Sequence, residues 1–291
     1  MGAKRLAALV ALCFGLISAQ AREIVFASYN LKNYFLQRHE SGAPKPEVEI
    51  AALVQIIAEI HPDILGICEM GSRSDFDDFR ARLVTAGLDY RAAEYVEAAD
   101  PERHLALLSR LPISSRQPVT DAPFDANGHR EKVKRGFLDV TIATGSGKEL
   151  RLVGAHLKSK RDTPDGEALI RRHEAHLFRE HLNAIFSQNP NVQLLAYGDC
   201  NDTCDQPPIR EITGQRGSPQ YMADLPLQDP VGDRWTHFWD AADIYSRIDY
   251  IFASRALLPH IIRAKCSVYR SDHWEAASDH RPVIATLRVP D

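Results

Sequence analysis

The sequence predicts a single α/β domain. Three observations predict it. Strand-like and helix-like segments alternate from Glu23 to the end of the chain, and no internal repeat, low-complexity tract or interdomain linker interrupts them. With 291 residues, 44% of them hydrophobic, the chain is long enough for one large domain or two ordinary ones. After the N-terminal segment, no stretch is long and apolar enough to cross a bilayer.

The elements follow in order. Glu23–Tyr29 reads as a buried strand. Pro46 opens a helix in which Ile50, Leu53, Val54, Ile57 and Ile60 form one apolar stripe at helical spacing. His61-Pro62-Asp63 stops it, because a residue before proline disfavours the α region. Ile64–Cys68 is the next strand, and Ser74 is expected to cap a helix presenting Phe76, Phe79 and Leu83. Leu105–Ser109, Phe137–Ala143 and Glu149–Ala155 read as strands, the last two joined by a Gly145-Ser146-Gly147 turn. A helix over 167–186 carries Leu169, His173, His176 and Leu177 along one side. Val192–Tyr197 is again strand. The segment 204–240, rich in Pro, Gly, Asp and Gln, reads as an irregular loop, and Ile248–Ala253 and Val283–Val289 close the fold.

The N-terminus stands apart. Lys4 and Arg5 precede an apolar run, Leu6 to Ile17, followed by Ala19-Gln20-Ala21. That pattern predicts a secretory signal peptide over 1–21, cut after Ala21, which would leave a mature domain over 22–291 in a secreted or periplasmic location. An uncleaved anchor is the weaker reading, since the run is too short to span a membrane. The formal charge is −4, and removal of Lys4 and Arg5 leaves about −6. Such a balance argues against a nucleic-acid coat protein but not against an enzyme with a local basic groove. Cys68, Cys200, Cys204 and Cys266 remain after cleavage and permit disulfides that sequence cannot pair. A zinc site is a poor reading of them without a C-x-x-C pair.

The chemistry lies where polar residues end apolar runs. Asn30, Glu69, His156, Asp199 with Asn201, and Asp249 each sit at a strand end, and Asp279-His280 precedes the last strand. One such residue is ordinary turn chemistry; the whole set points to a site on a rigid scaffold. Convergence would gather Glu69, Asp199, Asp249 and Asp279 in one cleft. Two like charges ~4 Å apart repel by roughly 4 kcal/mol at an effective dielectric near ~20, so the cluster needs cations. Histidine can neutralise one carboxylate. Carboxylate and amide oxygens suit Mg²⁺ or Mn²⁺, with Ca²⁺ a further option.

The segments SYNLKNYF, PDILGICEM, LALLSRLPI, VGAHLKSK, YGDCNDT, SRIDYIFAS and SDHRPV occur in the order of the endonuclease/exonuclease/phosphatase superfamily. The chain resembles that group, which includes DNase I, AP endonucleases, sphingomyelinases and inositol-polyphosphate 5-phosphatases, from about Glu23 to Val289. The resemblance implies two mixed β-sheets packed face to face with helices on both outer faces, a four-layer DNase I-like sandwich. It also implies roles. Glu69 is the principal metal ligand, with Asn30 and Asp279 near the same ion. Asp199 orients or deprotonates the attacking water, and Asn201 holds water or phosphate. His280 contacts the scissile phosphate, with Asp249 as its carboxylate partner. His156 lies near the leaving group or phosphate oxygens.

Departures from the pattern count against a DNA-repair enzyme: Lys32 stands where AP endonucleases carry an acid, and they tend to lack a histidine at the place of His156. Cys200 occupies a slot often held by an aromatic; a disulfide to Cys204 and core packing are both open. Lys158, Lys160 and Arg161 read either as a phosphate-attracting rim or as a solvated loop, and Lys158 is the substrate-binding candidate beside Asn30. Arg171 and Arg172 are exposed helix charges or braces for the site's carboxylates. His173-Glu174-Ala175-His176 lacks the spacing of a zinc protease helix. Trp235 and Trp239 line a substrate groove or pack internally. The expected activity is metal-dependent phosphodiester hydrolysis by direct water attack, with nucleic acid the favoured substrate. A phospholipid or sphingomyelin-type phosphodiesterase, or a small-molecule phosphatase, is the runner-up, and a non-catalytic binding module is the reading from another class. A membrane-acting enzyme would present an exposed apolar hairpin, and the sequence shows no clear candidate.

Overall fold

The structure, a computed structural model, describes residues 22–145 and 147–289. The signal peptide expected over 1–21 and Ser146 of the predicted turn lie outside the described residues. In chain order the first half comprises β1 (Arg22–Tyr34), α1 (Glu47–Ile60), β2 (Ile64–Met70), α2 (Arg73–Thr85), β3 (Ala92–Val96), β4 (His104–Ser109), β5 (Ile113–Arg116), β6 (Pro123–Ala126) and β7 (His129–Lys132). β8 (Phe137–Gly145), β9 (Lys148–His156), α3 (Glu167–Gln188), β10 (Leu194–Asp199), α4 (Pro207–Thr213) and β11 (Met222–Asp224) follow. The chain closes with β12 (His237–Trp239), β13 (Ile244–Ser246), β14 (Asp249–Ser254), β15 (Ser267–Val268), α5 (Trp274–Ala277) and β16 (Val283–Val289).

Two six-stranded mixed sheets result, ordered β15-β16-β1-β2-β4-β3 and β11-β14-β10-β9-β8-β5. Strand periodicity explains how they stack. Because side chains alternate between faces, Ile24 and Phe26 of β1 meet Leu195 and Tyr197 of β10 in a core between the sheets. The intervening Ala27 and Tyr29 pack instead with Leu53, Ile57, Phe76 and Phe79 of α1 and α2. On the other outer face, Leu194, Ala196, Tyr250 and Phe252 pack against Ala175, Phe178 and Leu182 of α3. Helix, sheet, sheet and helix make four layers, as expected.

The central layer is tight at one point. A Cβ on Gly66 of β2 would fall 2.3 Å from the Tyr197 ring, and one on Gly154 of β9 would fall 2.7 Å from it. Both glycines make room for one aromatic ring at the junction of the sheets.

Several local expectations change. Ser72, not Ser74, caps α2: its hydroxyl accepts Asp75 N at 3.3 Å while the Asp75 carboxylate accepts Ser72 N at 2.8 Å. Asp75 is buried and also receives Leu36 N, so this reciprocal box is anchored to the segment after β1. On α3 the buried face is Ile170, Glu174, Ala175, Phe178 and Leu182, whereas Leu169, His173 and Leu177 flank it and His176 is exposed. Polar residues on the buried face misled the periodicity. Glu174, fully buried, accepts the N–H groups of Lys134 and Lys158, and Arg171 is buried against Asp202 rather than solvated.

The segment read as loop holds α4, β11 and β12. All four cysteines of the described chain are free, and Cys200 packs in the core against α3. Contrary to the sequence reading, an exposed apolar hairpin exists: β12 and β13 present Trp239, Ile244 and Tyr245 at 55%, 46% and 51% exposure. No helix of the described residues is long and apolar enough to cross a membrane.

Candidate active site

Topology alone brings the polar strand ends together. β1 and β2 run parallel with Asn30 opposite Cys68, and β16 runs antiparallel to β1 with Val283 opposite Ser28. The ends of β1 and β2 and the start of β16 therefore share one edge. In the other sheet, β9 and β10 are parallel and β14 antiparallel, so His156, Asp199 and Asp249 stand in one row. The two edges face each other across the central core. Asn30 Nδ2 bridges the sheets, donating to Asp199 Oδ2 at 3.1 Å and reaching Glu69 Oε1 at 3.4 Å.

The backbone is distorted where this set is built. Lys32, Asn33, Glu69 and Asn201 all hold left-handed φ angles of 51–61°, a conformation that costs a non-glycine residue about 1–3 kcal/mol. Register shifts in β1 and β2 accompany it. The distortion turns Glu69 out of the strand so that its carboxylate accepts Asn33 N at 2.9 Å. Asn201 curls back to donate its N–H to Asp199 Oδ1 at 2.9 Å and its amide to Leu157 O at 2.9 Å.

The charges form a chain. His280 Nδ1 lies 2.8 Å from Asp249 Oδ2, and its Nε2 faces Asp199 Oδ2 at 3.7 Å. On the other side of Asp199, His156 Nε2 stands 3.5 Å from the same oxygen and 3.9 Å from Glu69 Oε1. Burial opposes charge on His280, but the Asp249 carboxylate, aided by Asp199 and Asp279, outweighs it and lifts the ring to about 10. Asp199 is pushed up to about 7, first by burial and then by Asp249, against the restraint of His280. His156 goes the other way. Burial first, then Arg135, His280 and Arg103, hold it well below the ordinary histidine range and hence neutral.

Seven of the eight strand-end candidates thus stand in mutual contact: Asn30, Glu69, His156, Asp199, Asn201, Asp249 and His280. Asp279 joins at the open side, 4.0 Å from His280 Nε2. Lys158 does not face this group; its ammonium donates to the carbonyls of Ser159 and Arg161. Two residues escaped the sequence reading. His237 lies with its ring 4.7 Å from that of His280 and its Nε2 3.9 Å from Asp279 Oδ2. Thr236, fully buried, accepts the N–H groups of Ile248 and Asp249 through its hydroxyl. Both sit inside the segment taken for irregular loop, where no apolar run marks a strand end. The polar dipeptide Thr236-His237 between aromatic neighbours was the one available signal.

The donor set fits a divalent metal. Glu69 and Asp279 are only half-buried, carry hard oxygens, and have no lysine or arginine partner among the described residues. Geometry also groups His237, Asp279 and His280, and separately Asp199, Asp249 and His280, closely enough to hold an ion. Glu69, expected as the principal ligand, falls in neither group; its near neighbours are the Asn30 amide and His156. Asn30 Oδ1 accepts Lys32 N, and its Nδ2 faces the carboxylates, so as folded it draws Glu69 and Asp199 together.

A sandwich of two sheets with carboxylates, amides and histidines at the strand ends defines a phosphoesterase-type hydrolase. The chain belongs to the Endonuclease/Exonuclease/phosphatase family, whose family model matches residues 27–280. Solved structures share the fold. Truncated TDP2 from Caenorhabditis elegans is 17% identical with a TM-score of 0.62, covering 93% of this chain and 99% of its own. The human nocturnin catalytic domain is also 17% identical with a TM-score of 0.65, over 91% and 93%. Sphingomyelinase C from Streptomyces griseocarneus is 16% identical with a TM-score of 0.61, over 92% and 100%. No curated protein sequence matches the chain.

Proposed function

We propose that this chain is an exported, divalent-metal-dependent phosphodiesterase that splits nucleic-acid P–O bonds by direct attack of water. The observation that carries the reading is the buried chain Asp249–His280–Asp199–His156, which couples a carboxylate poised near neutrality to a charged imidazole. Asp199 takes the proton of the attacking water, and Asn201 holds that carboxylate in place. His280, kept cationic by Asp249, opposes charge growing on the phosphoryl oxygens. Neutral His156 offers Nε2 to the same phosphate. Glu69, Asn30 and Asp279 would hold the cation, whose Lewis acidity polarises a phosphoryl oxygen when bound.

Nucleic acid is favoured by the cations bordering Glu69 and His156. Exposed Lys32 and the Arg103 guanidinium, bonded to Asn33 Oδ1 at 2.7 Å, flank the Glu69 loop, and Arg135 lies near His156. Export rests on the N-terminal signal pattern. A second reading, a phospholipid headgroup phosphodiesterase, is favoured by exposed Trp239, Ile244 and Tyr245 beside the site.

Hydrolysis of bis-p-nitrophenyl phosphate with Mg²⁺ or Mn²⁺, before and after chelation, tests the chemistry. Activity that survives EDTA removes the metal claim, and an inert preparation favours a binding module. Plasmid DNA, RNA and phospholipid vesicles assayed in parallel test the substrate. Headgroup release without any nicking of nucleic acid would replace the first reading by the second.

A further inference from the structure

We propose that His237 is a further catalytic residue, an imidazole N–H donor to the oxygen that leaves phosphorus. The inference rests on the phosphodiesterase reading above and names the residue on its leaving-group side.

The main chain around His237 is stapled to both catalytic segments. His237 forms a β-bridge with His280, Phe238 N donates to Asp279 O at 2.9 Å, and Arg281 N donates to Thr236 O at 2.6 Å. The Thr236 hydroxyl accepts Ile248 N and Asp249 N at 3.0 Å each. Position 237 is therefore fixed by backbone bonds that its side chain does not make. The ring is 21% exposed at the mouth of the site, and the Asp279 Oδ2 that its Nε2 faces lies 3.9 Å away, beyond hydrogen-bond range. Among the described residues it makes no hydrogen bond, so its donor is unspent.

Its side of the site follows from the arrangement of the carboxylates. The cluster of Asp199, Asp249 and His280 and the cluster of His237, Asp279 and His280 share only His280, which stands between them. His156, 3.5 Å from Asp199, belongs to the first side. In an in-line displacement, the water oxygen bonds to phosphorus on the face opposite the breaking P–O bond. With the water at Asp199 and the phosphoryl oxygens at His280, the leaving oxygen emerges toward His237. The water proton passes to Asp199 and then to solvent. The leaving oxygen carries away the electron pair of the broken bond, stabilised by the His237 N–H until solvent protonates it. Fixed donors aimed at developing charge are worth most where that charge is greatest.

The test compares two thymidine diesters on the full chain. Thymidine 5′-p-nitrophenyl phosphate has a leaving group stable as an anion, whereas dithymidine monophosphate must expel an alkoxide. We expect His237→Ala to lower kcat about a hundredfold on the dinucleotide and less than about threefold on the nitrophenyl ester. His237→Gln, which returns an N–H near the position of Nε2, should recover at least about tenfold on the dinucleotide. Equal loss on both esters, no loss on either, or a glutamine variant no better than alanine overturns the proposal. A wild-type chain inert on both esters sinks the phosphodiesterase reading and this inference together. An active wild type with His237→Ala slowed equally on both sinks the inference alone.

Discussion

His280 places Nδ1 2.8 Å from the Asp249 carboxylate while its Nε2 faces Asp199 at 3.7 Å, so one buried ring stands between two buried acids. The pairing divides the labour. Asp249 keeps the imidazole charged, and the imidazole keeps Asp199 from rising further.

Replacing Asp249 by Asn should therefore discharge His280. In the native chain the imidazolium persists until pH rises through about 10. Without Asp249 its limit falls toward the ordinary histidine range near ~6.5. We expect kcat/KM of Asp249→Asn to fall by about 10²–10⁴ at neutral pH, with the deficit relative to the native chain narrowing as pH is lowered. A pH–rate profile checks it, and a variant with the native profile would separate Asp249 from the charge on His280.

Asp199 must shed its proton to act as a base, and its carboxyl is pushed up to about 7. The acidic limb of the native profile should accordingly lie near neutrality, moving lower as a cation is bound beside it. Asp199→Asn should cost orders of magnitude in turnover and abolish that limb, with unchanged circular dichroism showing the fold intact.

Glu69 is held at a φ of 61° with a half-buried carboxylate beside Asp199 and Asn30. Glu69→Gln keeps the size of the side chain and one oxygen to accept Asn33 N, and removes a charge. We expect the metal concentration needed for half-maximal activity to rise at least about tenfold, while the melting temperature stays level or climbs as repulsion is relieved. Mn²⁺ titration and thermal melts read the two effects separately.

Gly66→Ala tests the junction of the sheets. Its Cβ would sit 2.3 Å from the Tyr197 ring in the central core. Overpacking of this kind costs about 1–3 kcal/mol, or roughly 2–4 °C in Tm for each kcal/mol in a chain of this size. A variant melting with the native protein would show that Tyr197 can move aside.

Asp139 should mark the acid limit of stability. It is buried, and burial alone would raise its carboxyl. Hydrogen bonds from His181 at 2.7 Å and Arg151 at 2.6 and 2.8 Å outweigh that and hold it below the ordinary carboxylate range. Because the folded value is depressed, the stabilisation is complete above the unfolded carboxylate range near ~3.9 and disappears as pH falls through the lower folded value. Asp139→Ala strands Arg151 and should cost about 3–5 kcal/mol at neutral pH. Denaturant melts at pH 7 and pH 3 should show the gap between native and variant narrowing at the acid end.

By itself, the sequence determined a single α/β domain and the main strand ends of the site, and its resemblance to a known family implied the four layers. The apolar runs of β1, β2, β10 and β14 marked strands buried on both faces, and such a run is a local pattern, so it survives without coordinates. Asn30, Glu69, His156, Asp199, Asn201 and Asp249 announced themselves because a polar residue closing an apolar run is costly unless it is used. What only the tertiary structure decided is which groups meet across chain distance. The bridge from Asn30 to Asp199 spans 169 residues. The buried face of α3 was misread because Arg171 and Glu174 are satisfied by distant loops that periodicity cannot see. His237 stayed hidden for the same reason: its place comes from backbone bonds to Asp279 and His280, and such bonds leave no mark on side-chain pattern.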